Sequence, residues 1–427
     1  MMISPQPEYL AVTGRASFFP ELQSALRGES VMAGRKVVML GAGNYLGLTT
    51  HPKVAAAAKA AVDRYGTGIS GSRSTHGTLA LHGELEARLA AFFGAERALV
   101  FGDHYLANIG VISALGRIGS YLISDRRSHE SILDGQRTAP CRVFRFDHND
   151  VSSLRSQLEP LPERAQKWVI VEGVYGTYGN LALLPEIVDT AHSFNAEIIL
   201  DDAHGVGVMG FGGRGTASHF GLADDVAVVV GTLGASFASQ GGFAIGSRPV
   251  IEKIAANARS FLCASSLSPM CAAAALAALD VVDSEPEWLE RLWANTKRMK
   301  DRLRAAGLLT THSASPIIAI PLDGEAQTRE VWEQLMERGV YVDALVPPSV
   351  QNGQSLLRLS TMATLEDRHI DFAADVIAEL VTEARKASRR NPCENDAAAQ
   401  AARARWRRAA RWLSAVRADV VTPPPEC

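Results

Sequence analysis

Apolar and polar positions along this chain fall into two alternating patterns. Short runs rich in Val, Ile and Leu, such as 198–200 and 226–230, read as buried strands, because parallel strands covered on both faces carry unbroken apolar stretches. Between them, apolar residues recur every three or four positions, as at Leu81, Leu85, Leu89 and Phe92, which predicts amphipathic helices. Strands are predicted at 37–40, 98–101, 121–124, 143–146, 168–172, 197–201 and 226–230, with one more after Gly241-Gly242. Helices are predicted at 51–65, 79–93, 107–115, 130–135, 151–158 and 184–194. This alternation gives an α/β fold, a large mostly parallel sheet with helices on both faces. Right-handed crossovers bring the carboxyl ends of the strands to one edge, where the loops 102–108, 125–129, 172–180, 201–207 and 232–240 fall. Helices at 269–283 and 288–306 lead into a small C-terminal α/β domain, with strands at 317–320, 340–342 and 356–360 and helices at 328–338 and 365–385. The chain thus divides into an N-terminal arm at 1–45 with a short helix at 21–27, a large domain at 46–285, a small domain at 286–388 and a basic helical tail at 389–427.

Composition narrows the class. The 427 residues are 47% hydrophobic and 21% charged, as in ordinary globular proteins, and the net charge of −3 gives no reason to expect nucleic acid as a partner. Five cysteines lie scattered without metal-type or redox-type spacing, which fits free thiols, no metal and a cytoplasmic location. The opening residues lack the pattern of a secretory signal, and no charge-free apolar run is long enough for a bilayer; the alanine-rich 272–279 sits inside a longer helical pattern.

The candidate chemistry sits at the predicted sheet edge. Asp201 ends a buried strand, where a carboxylate must be paired; it can hold a protonated ring nitrogen or simply cap a turn. His129 follows another strand and can stack on a flat cofactor or bond to loop backbone. His204 can donate to a phenolate oxygen or make a capping contact. Thr232, at a strand end, offers a hydroxyl to a phosphate, and Ala235 faces the same ligand three residues on. Asn44 and Arg358 are candidates for a substrate carboxylate, Arg358 through its bidentate fork, with a turn asparagine and a surface arginine as the plain alternatives.

Taken together and in order, these segments resemble the α-oxoamine synthases, pyridoxal-phosphate (PLP) enzymes of the fold-type I aminotransferase class. The resemblance spans about residues 37 to 380. It is carried by Asn44-Tyr45-Leu46-Gly47-Leu48, Gly71-Ser72-Arg73 with Gly77, His82-Gly83-Glu84-Leu85-Glu86, Ala107-Asn108 and Ser128-His129 with Asp134-Gly135. Glu172-Gly173-Val174-Tyr175, Asp201-Asp202-Ala203-His204, Gly213-Arg214-Gly215, Gly231-Thr232-Leu233-Gly234 and Leu357-Arg358-Leu359-Ser360 extend it. The resemblance implies that Asp201 pairs with the pyridine nitrogen, His129 stacks on the ring and His204 lies near the ring oxygen. It places the phosphate on Thr232 and on backbone amides around His104 and Tyr105, with Ser265 reaching it from the neighbouring subunit of a homodimer. Asn44 and Arg358 then hold the amino-acid carboxylate. The reaction it implies joins a small amino acid to an acyl thioester, carried by CoA or an acyl-carrier protein, and releases carbon dioxide and thiol to leave an α-amino ketone.

The pattern breaks at one position. The family places its Schiff-base lysine in a Thr-x-x-Lys unit, and here Thr232-Leu233-Gly234-Ala235 ends in alanine. Asp103-His104-Tyr105 also replaces the usual Ser-Gly-aromatic, and Gly176 stands where serine is common. Three readings follow: an enzyme of this type with its lysine replaced, a lysine-free partner subunit of a heteromeric synthase, or a binding protein that keeps the pocket. The first leads, because a chain freed from catalysis has no reason to retain Asp201, His129, His204, Thr232 and Arg358. The tail lies outside the resemblance. Its Arg403, Arg405, Arg407, Arg408 and Arg411 suit packing on the body, an acidic carrier protein or anionic lipid, the one route to membrane contact.

Overall fold

The computed structural model describes residues 20–308, 313–347, 349–351 and 353–390. The helix expected in the tail and the first part of the N-terminal arm lie outside them.

The elements follow in order: β1 (Glu29–Met32), β2 (Arg35–Met39), α1 (Pro52–Tyr65), α2 (Ala80–Phe93), β3 (Arg97–Phe101), α3 (His104–Leu115), β4 (Tyr121–Asp125), α4 (Glu130–Thr138), β5 (Arg142–Phe146), α5 (Val151–Leu158), β6 (Lys167–Glu172), α6 (Leu184–Ser193) and β7 (Ala196–Asp201). Then come α7 (Gly215–His219), β8 (Val228–Thr232), β9 (Gly242–Gly246), α8 (Arg248–Asn257), α9 (Arg259–Leu262), α10 (Pro269–Ser284), α11 (Glu287–Ala305), β10 (Ile317–Pro321), α12 (Glu325–Glu337), β11 (Val340–Tyr341), β12 (Asp343–Leu345), β13 (Leu356–Ser360) and α13 (Asp367–Arg390).

Seven strands form the large sheet in the order β3-β9-β8-β7-β6-β4-β5. Strands β5, β4, β6, β7 and β8 run parallel, while β9 runs antiparallel to both β8 and β3. Side chains alternate across the sheet as the strand period of two requires. Ile199, Val228 and Val230 pack on one face with Ala107 and Val111 of α3, and Ile198 and Leu200 pack on the other with Leu184 and Ile187 of α6. Every residue of β6 is buried, which explains its unbroken apolar reading. The alanine run of α10 faces α1: Ala272, Ala274, Ala275 and Ala278 share a core with Val54 and Ala61. Small side chains there let two helices approach closely, and among the described residues no helix is long and apolar enough to cross a membrane.

The small unit holds an antiparallel sheet, β10-β13-β12, and a second sheet, β1-β2-β11. Strand β11 lies parallel to β2, with Val340 opposite Val38. Met32, Val37, Val38, Met39 and Leu40 therefore enter one core with Met299, Leu335, Val340, Leu359 and Ile377. Residues 29–40 thus pack as part of the small unit rather than as a separate arm.

Local differences from the sequence pattern have physical causes. The expected helix at 21–27 is absent, and Leu22 instead bridges to Met32. Helix α3 begins at His104 rather than at 107, because the Asp103 carboxylate accepts the Tyr105 amide and caps it. The loop Asp103-His104-Tyr105, polar in sequence, is therefore a helix start.

Candidate functional site

Three carboxylates end neighbouring parallel strands: Asp125 on β4, Glu172 on β6 and Asp201 on β7, with Glu172 directly opposite Asp201 in the register. Parallel strands put such residues at one edge, and burial forces each into a partnership.

Asp201 is 3% exposed. Its Oδ1 accepts from His104 Nε2 at 2.9 Å and from the Ala203 amide at 3.1 Å; its Oδ2 accepts from Asn108 Nδ2 at 2.7 Å. Burial alone would raise this carboxyl, but the His104 charge and hydrogen bond, with the Asn108 amide, hold it down to about 2. Asp201 is thus a permanent anion. Glu172 behaves oppositely: burial, then the Asp201 charge, push it well above the carboxylate range, and its Oε1 accepts the His129 amide at 2.5 Å. One of two adjacent acids is charged and the other carries a proton.

Asn108 also donates to Ser131 Oγ at 2.9 Å, which leaves the Ser131 hydroxyl to donate to His129 Nδ1 at 2.7 Å. A chain of side chains from Asp201 through Asn108 and Ser131 therefore sets the orientation of the His129 ring. Burial holds His129 below the ordinary histidine value, so the ring is neutral. His204 is pushed down to about 3 by burial and by the Arg358 charge. Its Nδ1 lies 2.9 Å from the buried Tyr45 hydroxyl, which burial keeps protonated. With Tyr45 donating, Nε2 carries the ring proton of His204. Gly176 makes room for this ring: a Cβ there would overlap His204 Nε2 and lie 2.9 Å from Cδ2.

Arg358 reaches the same region. Its Nε and Nη2 both donate to Asp343 Oδ2, at 3.0 and 2.7 Å, and its Nη1 donates to the Gly176 carbonyl at 3.1 Å. The His104 and His129 ring centroids lie 6.2 Å apart, and Gly176 packs against His204 while its carbonyl accepts from Arg358, so these groups lie around one region with Asp201 beneath His104.

The β8–β9 loop closes it. Thr232 Oγ1 accepts the Gly234 amide at 3.0 Å, and Leu233 and Gly241 close the loop through a backbone bond of 2.9 Å. Ala235 is 8% exposed and packs with the core. Next to it, the Ser236 hydroxyl is buried without a hydrogen-bond partner among the described residues. Gly207, with φ of +74°, lets the turn after Asp201 touch this loop, since any Cβ there would overlap Ser236.

Asp201, His104, His129, His204 and Arg358 thus gather. Tyr105 lies beside His129, with ring centroids 6.0 Å apart, but its hydroxyl donates to Asp134 at 2.5 Å. Asn44 turns elsewhere: its amide donates to Thr49 Oγ1 at 2.8 Å and to the Leu26 carbonyl at 3.4 Å. Ser265 is exposed, and its backbone bridges Ser72. Sequence reasoning gave no role to Asn108, Ser131, Glu172, Tyr45 or Asp343. Glu172 carried the same signal as Asp201, an acid ending an apolar strand, and Asn108 is a polar residue inside an apolar helix; Asp343 carried none.

Comparison with known proteins agrees with this architecture. The family model for aminotransferase class I and II matches residues 35–377. The chain is 38% identical to a serine palmitoyltransferase of Sphingobacterium spiritivorum over 88% of this chain and 94% of the relative. It is 40% identical to an 8-amino-7-oxononanoate synthase of Geotalea daltonii over 82% of this chain and 90% of that one. Among solved structures, an SPT with a PLP internal aldimine superposes with a TM-score of 0.84 at 34% identity, covering 86% of this chain and 93% of the other. A lysine-to-alanine variant of the S. paucimobilis serine palmitoyltransferase, with a bound PLP–myriocin aldimine, superposes equally, at a TM-score of 0.84 and 34% identity, covering 86% of this chain and 94% of that one. With its core, its strand-end acids and its loops in this arrangement, the chain belongs to the aminotransferase class I and II family, alongside serine palmitoyltransferases and 8-amino-7-oxononanoate synthases.

Proposed function

We propose that this chain carries a PLP site of the α-oxoamine synthase type, with Ala235 where the Schiff-base lysine belongs. The observation that carries the reading is a buried carboxylate, Asp201, ending a parallel strand at the carboxyl edge of the sheet, linked through Asn108 and Ser131 to the ring of His129, with His204 held by Tyr45 on the turn that follows. An anion there suits a protonated heteroaromatic nitrogen, and a neutral, oriented imidazole suits a ring face. When bound, PLP supplies an electron sink for the Cα of an amino acid. The chain's own residues do the rest. Asp201 would hold the ring nitrogen protonated, His129 would lie against the ring, and His204 would stand near its oxygen. Thr232 turns its hydroxyl to the phosphate, joined by the partner subunit's Ser265 in a homodimer. Arg358 takes the carboxylate of a small amino acid, and the second substrate is an acyl thioester on CoA or a carrier protein. The reaction of the type releases carbon dioxide and thiol and leaves an α-amino ketone.

Ala235 can form no bond to the cofactor and move no proton at Cα, so this chain is inactive or strongly impaired in the condensation. The solved lysine-to-alanine variant, which holds a PLP ligand, supports cofactor retention without the lysine. The test is Ala235→Lys: with PLP it should gain the visible absorbance band of a lysine-bound cofactor, and a screen of amino acids with acyl thioesters, read by mass spectrometry, should give an α-amino ketone. If no band forms, position 235 is misassigned.

A second reading, a non-catalytic partner subunit, is favoured by one observation: His104 already occupies an oxygen of Asp201. That reading predicts that Ala235→Lys stays inactive alone, while the unaltered chain raises the activity of a lysine-bearing homologue.

A further inference from the structure

We propose that Asp103 and His104, at the start of α3, fill from within the two anchor points of a phosphorylated pyridine ring, so that such a ring binds only by turning these side chains away. The inference rests on the cofactor reading above.

His104 supplies the first half. Asp201 is an acceptor only, so His104 Nε2, 2.9 Å from Oδ1, must carry the proton of that bond. The Asn108 amide, 3.3 Å from the same nitrogen, is then a contact, and its protons go to Asp201 Oδ2 and Ser131. An N–H of a flat heteroaromatic ring on the Asp201 carboxylate is what a protonated pyridine would supply. Position adds to the chemistry. The His104 side chain is 16% exposed and that of Asp201 3%, so the imidazole reaches solvent where the acid does not.

Asp103 supplies the second half. The first amides of a helix are an anion site, because they lack partners within the helix and stand at its positive end. In α3 the Tyr105 amide donates to Asp103 Oδ1 at 2.7 Å, so a carboxylate of the chain itself takes a place open to a phosphate. A phosphate must displace that bond and approach a like charge.

The backbone beneath both residues is seated firmly. A Cβ on Gly242 would lie 2.5 Å from His104 Cα and 2.8 Å from the Asp103 carbonyl, so strand β9 holds the dipeptide against the sheet. Opening the site is therefore a side-chain rotation rather than a loop movement.

Equilibrium dialysis of the full-length protein against PLP tests this. His104→Gly removes a charge-assisted hydrogen bond that competes with the ring and should tighten PLP binding about tenfold to a hundredfold. Asp103→Ser keeps a helix cap while removing the charge and should also tighten binding, with the double variant tightest. His104→Ala, with the same expectation, serves if the glycine variant loses its helical circular dichroism. Unchanged or weaker PLP affinity in the His104 variants, while Ala235→Lys still forms its band, overturns this proposal and leaves the cofactor reading standing. No PLP binding in any variant, Ala235→Lys included, overturns both.

Discussion

Replacing Gly176 by alanine tests how tightly the site is packed. The residue is not among the glycines with positive φ, so alanine meets no backbone penalty. Its added Cβ overlaps His204 Nε2 and lies 2.9 Å from Cδ2, so the imidazole must turn. Turning breaks the 2.9 Å bond to Tyr45, whose side chain is 1% exposed. Losing one buried hydrogen bond costs about 1–2 kcal/mol, and overpacking adds about 1–3 kcal/mol, part of which rotation relieves. The expected sum, about 2–4 kcal/mol, lowers the melting midpoint of a chain of this size by about 2–4 °C. The penalty belongs to a pair of residues, so a double-mutant cycle isolates it. In a His204→Ala background the added methyl enters vacated space, and its cost should fall to within about 0.5 kcal/mol of zero. Urea unfolding of the four proteins measures this. An unperturbed Gly176→Ala protein, or an equal penalty with and without the His204 imidazole, refutes the packing argument.

Asp202 should leave a signature in the pH dependence of stability. Burial pushes its carboxyl up to about 7 against the two Thr216 hydrogen bonds, with the Asp201 charge adding to the rise. A raised acid stabilises the fold below its unfolded value and loses that contribution as pH rises through the folded one, here up to about 4 kcal/mol between about pH 4 and 7. Asp202→Asn should flatten that slope in urea titrations, and a parallel slope in the variant refutes the assignment. Asp343→Asn removes the carboxylate that takes the Nε and Nη2 protons of Arg358. It should tighten L-serine binding to PLP-loaded Ala235→Lys protein about fivefold, read from the absorbance spectrum, and weaker binding would mean that Asp343 orients the arginine instead. Arg73 grips both oxygens of Glu86 at 2.8 and 3.2 Å, and Glu86 also accepts the Val100 amide at 3.1 Å, tying α2 to β3. Arg73→Lys keeps the charge but loses the fork and should cost about 1–2 kcal/mol by urea unfolding; an unchanged midpoint would show the fork to be idle.

The large sheet was legible because its strands are buried on both faces, and burial writes continuous apolar runs such as 168–171 and 198–200. Strand direction was not: β9 reads like its neighbours, and only its short link from β8 makes it antiparallel. Strand β1 escaped notice because Glu29–Met32 mixes polar and apolar residues and gains its place by pairing with β2. At the site, the residues at strand ends stood out, since an acid after an apolar run is conspicuous. What joins them was hidden. Asn108 and Ser131 matter through two short bonds between α3, α4 and β7, and such long-range contacts leave no mark on local pattern. Asp343 meets Arg358 only because β12 pairs with β13, with these two residues opposite each other.

The pairing of β2 with β11 joins sequence positions some three hundred residues apart, Val38 with Val340. During synthesis, the segment 29–40 leaves the ribosome about three hundred residues before its partner strand β11 and can settle only when that strand has followed. Until then Val37, Met39 and Leu40, each 1% exposed or less in the finished molecule, have no permanent cover. Contacts of such separation slow folding and lengthen the time during which apolar surface invites aggregation. A fragment that ends before β11 carries that sticky strand unprotected, so expression of the large sheet without the small unit calls for a start after residue 40.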